Sequence, residues 1–490
     1  MKLVTVLLAA ALVVGACSSS STTAGVSVLG ASLPKCADDP TWRCGTVTVP
    51  LDRANPGAGM LKVAFFVQAH LDTTRPALEP IFVSPGGPGA SIWADHGYLP
   101  LLNWDVRHDT VLVEPRGVGL SGAIVCQELQ SGTANFADLR KATADCGRQL
   151  GAAASQYDTG DVALDIDDVR KALGVDSFDL YSASYATITE QAYVTRFPNH
   201  VHALVLDSGF AITNSGEDVL GIGYAAAWIR VASLVCQRSA DCSGAYSRPQ
   251  DLIRWLITRV AASPIHGSVA GSSASLVADE AAIESLLPAI GPKSAQLQPK
   301  TLLDAITALR AGDSGPLLQV VAQWGQLASG TPDPGFSAGD SSAVYCNDQV
   351  FPWAQSDSLA VREQKVAAAY AALPANAFDP FTTAGWAAGN PGPDICITWP
   401  SPKTPEPVIP AGAKYPSLPT LIMSGDQDMN APEEISRILL KEFPSATFLV
   451  VAGAGHDSAA PGWTSCGGQA VATFFDTLRV DPAACATYKG

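Results

Sequence analysis

Three residues in a fixed chain order could together run nucleophilic acyl transfer: Ser184, Asp428 and His456. A serine hydroxyl is a weak nucleophile at neutral pH. It is activated when an imidazole takes its proton and a carboxylate orients that imidazole and stabilises its charged form. Ser184 stands in Leu180-Tyr181-Ser182-Ala183-Ser184-Tyr185-Ala186, between a short apolar run and a helical stretch through Glu190 to Arg196. Asp428 closes Ser424-Gly425-Asp426-Gln427-Asp428 just past the apolar run Thr420 to Met423, and His456 closes Gly453-Ala454-Gly455-His456 just past Thr447 to Val451. Each member therefore follows a predicted strand, where catalytic groups of parallel sheets gather. His70, His96, His108, His200, His202 and His266 do not follow a late strand. Asp426 is the second choice of acid.

The segment around Ser184 has the form of a nucleophile elbow, G-x-S-x-G, with Ser182 and Ala186 in place of the two glycines. Both are small, as a strained turn crowded by its neighbours requires. The loop Ser84-Pro85-Gly86-Gly87-Pro88-Gly89 follows the strand Ile81 to Val83. Its Gly87 amide, with that of Tyr185, is the candidate pair of donors for the oxyanion that forms when a carbonyl is attacked. A third glycine-rich string, Gly117-Val118-Gly119-Leu120-Ser121-Gly122, satisfies G-x-G-x-x-G. It is not at the first strand-to-helix turn and no suitable acid ends a following strand, so no nucleotide cofactor is expected.

These groups need a scaffold. Thr46 to Val49 and Leu61 to Val67 read as an opening antiparallel pair. Ile81 to Val83, Val111 to Val113, Phe178 to Tyr181 and Ala203 to Leu206 are short apolar runs that alternate with helical stretches, the pattern of a buried parallel sheet. From 212 to 414 the strand signal fades, and amphipathic helices over Asp251 to Ala262, Thr301 to Arg310 and Ser358 to Ala372 take over. Strands resume at Thr420 and Thr447, with a helix predicted across Pro432 to Glu442. The expected fold class is α/β: a mostly parallel sheet flanked by helices, in two parts, 36–211 and 415–490, with a helical cap inserted at 212–414.

The chain has 490 residues, 47% of them hydrophobic and 16% charged, which suits a folded globular protein rather than a disordered one. A net charge of −16 argues against a nucleic-acid partner. Residues 1–17 read as an export leader: Met1-Lys2, an uncharged run from Leu3 to Val14, then Val14-Gly15-Ala16-Cys17. That ending resembles a bacterial lipobox, in which the cysteine is acylated and anchors the protein to the membrane. Residues 18–35 then form a flexible tether. An ordinary secretory signal is the plainer reading of the same residues, and both predict export. Ten cysteines remain after Cys17, an even number suited to an oxidising compartment. Proximity suggests Cys36 with Cys44, Cys126 with Cys146, Cys236 with Cys242, Cys346 with Cys396 and Cys466 with Cys485. No C-x-x-C pair is present, and no metal is expected.

Several strings carry a family resemblance: Pro85-Gly86-Gly87-Pro88-Gly89-Ala90-Ser91, Glu114-Pro115-Arg116-Gly117-Val118-Gly119-Leu120-Ser121, Ser184-Tyr185-Ala186-Thr187 with Tyr193 and Phe197-Pro198, Cys346-Asn347-Asp348 and Cys396-Ile397-Thr398-Trp399-Pro400. Together they resemble the prolyl and tripeptidyl aminopeptidase family of serine hydrolases. Ser182, Ala186 and Glu114 depart from the family pattern. The resemblance implies an α/β-hydrolase fold with a helical cap and release of residues or short peptides from peptide N-termini. Within it, Asp348 is the candidate for meeting the substrate amine. An esterase or lipase with the same triad, and a catalytically silent cell-surface binding lipoprotein, are the alternatives.

Overall fold

The computed structural model of the protein describes residues 29, 32–97, 104–131, 136–212, 217–269, 275–291, 297–328, 333–390, 392–400 and 403–487. The leader, Cys17 and the tether up to residue 28 lie outside the described residues.

Among the described residues ten strands form: β1 (Arg43–Pro50), β2 (Met60–Gln68), β3 (Ile81–Ser84), β4 (Thr110–Val113), β5 (Phe178–Ala183), β6 (Val201–Asp207), β7 (Ile265–Gly267), β8 (Leu276–Ala278), β9 (Thr420–Gly425) and β10 (Thr447–Val451). Eight of them make one sheet in the order β1-β2-β4-β3-β5-β6-β9-β10. β1 and β2 are an antiparallel pair, β2 meets β4 antiparallel, and every pairing from β4 to β10 is parallel. The central strands are buried on both faces because helices cover both. Phe82, Phe178, Leu180 and Leu204 pack on one side, and Ile81, Val83, Val205 and Leu421 on the other. That double burial explains why they read as unbroken apolar runs rather than as alternating ones.

Between β6 and β9 the chain leaves the sheet and builds a separate apolar core from helices, including Pro249–Ala262, Glu280–Leu286, Pro299–Arg310 and Gly315–Ala328. The short antiparallel hairpin β7–β8 lies inside this block. It was not foreseen, since three-residue strands carry too few side chains to show a period. The helix expected across Pro432 to Glu442 is instead one α-turn, Glu433–Ser436, continued as a tighter 3-10 stretch, Arg437–Lys441. All five expected disulfides are formed, with Cα–Cα distances of 5.1 to 5.7 Å. No described helix is long and apolar enough to cross a membrane.

Candidate active site

β5 delivers Ser184 into a sharp turn before the helix Ala186–Arg196, and its backbone takes φ +60°, the left-handed region that a non-glycine residue rarely adopts. The turn is held from below: the Ser184 amide donates to the Asp207 carbonyl at 3.0 Å, and the Ser184 carbonyl accepts from Thr187 N–H at 3.0 Å. Ser182 is fully buried and its hydroxyl turns back to the Val205 carbonyl of β6 at 3.4 Å. Ala186, also fully buried, packs behind the turn. Both elbow departures therefore sit where a small side chain has room.

Asp428 follows β9 and is completely buried. Its Oδ1 accepts from the amides of Asn430 (2.8 Å) and Ala431 (2.9 Å), which fixes the carboxylate plane. His456 follows β10, and its Nδ1 donates to Asp428 at 3.1 Å (Oδ1) and 3.0 Å (Oδ2). Burial alone would raise the Asp428 carboxyl. The charge of His456 and the hydrogen bond to it outweigh burial and hold Asp428 below the ordinary carboxylate range. Burial conversely disfavours the imidazolium, yet the Asp428 charge and hydrogen bond overcome it and raise His456 to about 9. Asp426 is committed elsewhere, bidentate to Arg238 at 2.7 and 2.6 Å, so the structure pairs His456 with Asp428 and not with the second choice.

Gly86 passes so close to the elbow that a Cβ there would lie 2.9 Å from Ser184 Cβ, a contact only glycine permits. The next residue, Gly87, lines one cavity of about 910 Å³ together with Ser184, Tyr185 and His456. The loop is braced by the cap segment 333–348. Ser91 N–H donates to Gly335 O and Ser337 N–H to Gly89 O, both at 2.8 Å, around an antiparallel bridge between Ala90 and Phe336. The third glycine string is part of the scaffold. Ser121 Oγ accepts from the Ala64 amide (2.9 Å) and donates to the Glu114 carbonyl (2.8 Å), tying the turn after β4 to β2. Arg116 beside it is fully buried, paired with Asp165 at 2.8 and 2.7 Å and with Asp161 at 2.9 Å.

Residues 79–233 match the family described as alpha/beta hydrolase fold, and residues 379–485 the family described as TAP-like protein. The chain is an α/β-hydrolase with a TAP-like C-terminal part. It is 25% identical to a tripeptidyl aminopeptidase of Streptomyces lividans, an alignment covering 90% of this chain and 82% of the relative. It is 28% identical to carboxylesterase B of Mycobacterium tuberculosis, over 76% of this chain and 73% of that protein. Serine protease Hip1 of the same organism is 30% identical over a shorter stretch, 34% of this chain and 35% of its own. The chain is accordingly a serine hydrolase.

Within this α/β-hydrolase the cap forms most of the cavity wall. Phe210, Tyr224, Trp228, Val321, Trp324 and Trp386 make it largely apolar. Asp348, the expected amine contact, is not part of that wall. It is buried, with both carboxylate oxygens accepting the Thr159 amide at 3.1 Å and Oδ2 accepting the Tyr185 hydroxyl at 2.8 Å. Asp348 thus anchors the elbow's Tyr185 to the helix Thr159–Leu173 and has no free face for a substrate. The acid that does face the cavity is Glu284, on the cap helix Glu280–Leu286. Glu284 is 5% exposed, and with no partner among the described residues to offset it burial raises its carboxyl to about 8. Among the described lining residues it and His456 are the only ionisable groups besides tyrosines. The sequence offered no sign of this: an acid in Glu280-Ala281-Ala282-Ile283-Glu284 looks like one on any solvent-facing helix.

Proposed function

We propose that this serine hydrolase is an exported peptidase that removes residues or short peptides from free peptide N-termini. Ser184 Oγ attacks the carbonyl as His456 takes its proton, and Asp428 holds the imidazole and stabilises its charge. The Gly87 and Tyr185 amides receive the oxyanion. His456 returns the proton to the leaving amine, and water then releases the acyl group from Ser184 by the same steps.

One observation carries the peptidase reading: Glu284, a buried carboxyl with no partner among the described residues, in a largely apolar cavity that also holds Ser184 and His456. An unpaired acid in such a place is costly, and a substrate ammonium would repay it by forming an ion pair in a medium of low dielectric. A neutral ester has no use for it. Export is supported by five disulfides and by the leader-like residues 1–17, with Cys17 as the proposed lipid-bearing residue and the membrane as its partner.

The test compares one peptidyl amide with a free N-terminus, its N-acetylated form and a short neutral ester. The free amine should be preferred, and Glu284→Gln should raise KM for it alone by about 10- to 100-fold, the effect of losing a charged hydrogen bond of about 1.5–3 kcal/mol. A carboxylesterase is the second reading, favoured by the apolar wall. It becomes the better one if acetylation is neutral and the ester is turned over faster than either peptide.

A further inference from the structure

Asp207, at the end of β6, plays no part in the chemistry just described, yet both halves of the site converge on it. It is completely buried. Its carbonyl accepts the Ser184 amide at 3.0 Å, fixing the nucleophile's turn. Its carboxylate reaches the other way, into the loop that carries His456. Oδ1 accepts the Ser458 amide (3.0 Å) and the Ser458 hydroxyl (2.6 Å), and Oδ2 accepts the Ala459 amide (2.8 Å). Ser208 and Tyr181 add hydroxyls at 3.2 and 3.4 Å. The Ser208 hydroxyl oxygen in turn accepts the Asp457 amide at 3.0 Å, so residues 457, 458 and 459 are all tied to the end of β6.

The Trp463 indole N–H holds the His456 carbonyl at 2.8 Å from the C-terminal side, and φ at Asp457 is +57°, a conformation that needs outside support. Asp428 holds the imidazole ring through Nδ1, but it does not hold the backbone from which the ring hangs. From these contacts we infer that Asp207 is a positioning residue for the reaction: one buried carboxylate that registers the His456 loop against the Ser184 elbow and adds negative charge behind the imidazole. The inference rests on the roles of Ser184 and His456 proposed above. It concerns a group that touches neither substrate nor the reacting atoms.

The charge has a separate signature. The charged groups facing His456 are Asp428 from the turn after β9, Asp457 from its own loop and Asp207 from β6, with Asp95 of the loop after β3 behind Asp457. All are acids, so each favours the imidazolium. Taking one away makes His456 easier to deprotonate.

Asp207→Asn preserves size but removes the charge and turns an amide –NH₂ toward N–H donors. The expected outcome, measured with a small neutral ester to exclude amine titration, is a kcat lower by about 100-fold with KM within about twofold. The acid limb of the pH–kcat/KM profile should move to lower pH, and the rate of Ser184 phosphonylation by a fluorophosphonate should fall in parallel. Ser458→Ala, which removes only one of the hydrogen bonds, should lower kcat in the same direction by less and leave the limb in place. Should Asp207→Asn fail to fold, the Ser458→Ala kcat decides, and unchanged turnover in that variant overturns the inference. A folded Asp207→Asn protein with wild-type kcat and an unmoved limb overturns it too, as does a fall in melting temperature alone. Activity surviving in Ser184→Ala would instead remove the triad reading itself, so the two failures are distinguishable.

Discussion

At Ser184 the backbone occupies a conformation that costs an L-residue about 1–3 kcal/mol, and the neighbouring Ser182 supplies an internal control. Ser184→Ala should lower turnover by about four to six orders of magnitude and abolish fluorophosphonate labelling, with the folded state intact. Ser182→Ala should keep the label, because that hydroxyl points at the Val205 carbonyl rather than into the cavity. Labelling that persists without Ser184 contradicts the assignment. The pH dependence follows from His456. Acting as a base requires the neutral ring, and the raised value means that the ring stays protonated to about pH 9 in the free enzyme. With a neutral ester, kcat/KM should climb with pH toward that value, and Asp428→Asn should both slow the reaction and move the limb down toward the ordinary imidazole range. A limb already at pH 6.5 in the wild type would show that Asp428 does not govern the ring. The placement of Ser184, Asp428 and His456 just past β5, β9 and β10 was legible in the sequence because chain order and strand ends are written in one dimension. Glu284 and Asp348 were not: which of two cap acids faces a cavity depends on the rotation of two helices about their axes, and no residue pattern marks it.

At the level of elements, the strands were legible wherever burial on both faces made an unbroken apolar run, as in β3, β4, β5, β6 and β9, while the edge strand β10 was legible from its apolar residues alone. What escaped was set by tertiary contact. The segment after Pro432 tightens into a 3-10 stretch whose Leu439 is fully buried against the sheet core, so packing overrides its helical pattern. The loop after β3 shows the same dependence. Its glycines signalled an oxyanion turn, but the brace from the cap segment 333–348 lies more than 240 residues away and leaves no local trace. Because Gly86 touches Ser184 directly, Gly86→Ala should displace the loop or the elbow. Losing one oxyanion donor costs about 10²–10³ in kcat, and a loss of that order is expected here with the denaturation midpoint nearly unchanged. A fully active Gly86→Ala enzyme would mean that the loop yields without disturbing the site.

Across the whole molecule, two apolar cores on either side of the sheet and a third within the cap must hold one geometry, since the cavity is walled by the cap and its chemistry comes from the sheet. The Cys346–Cys396 bond is well placed to do this. It ends the helix Ala338–Asp348, whose start braces the loop proposed to receive the oxyanion and whose last residue anchors Tyr185, and it packs beside Cys126–Cys146 in a cluster shared with the core-side helix Phe136–Leu150. It closes the longest loop of the five, with a sequence separation of 50 against 6 for Cys236–Cys242. On the chain-entropy estimate the longer bond contributes about 4 kcal/mol and the shorter about 2 kcal/mol, because a cross-link restricts the unfolded chain more when it spans more residues. Replacing Cys346 and Cys396 together by serine should therefore lower the chemical-denaturation midpoint further than replacing Cys236 and Cys242. It should also lower kcat, since the helix that it ties positions both the oxyanion loop and the elbow. The Cys236–Cys242 pair, inside the cap core, should affect stability alone. Equal destabilisation by the two pairs would argue against the loop-length account, and full activity in the Cys346→Ser, Cys396→Ser protein would show that hydrogen bonds alone suffice to hold the cap segment against the site.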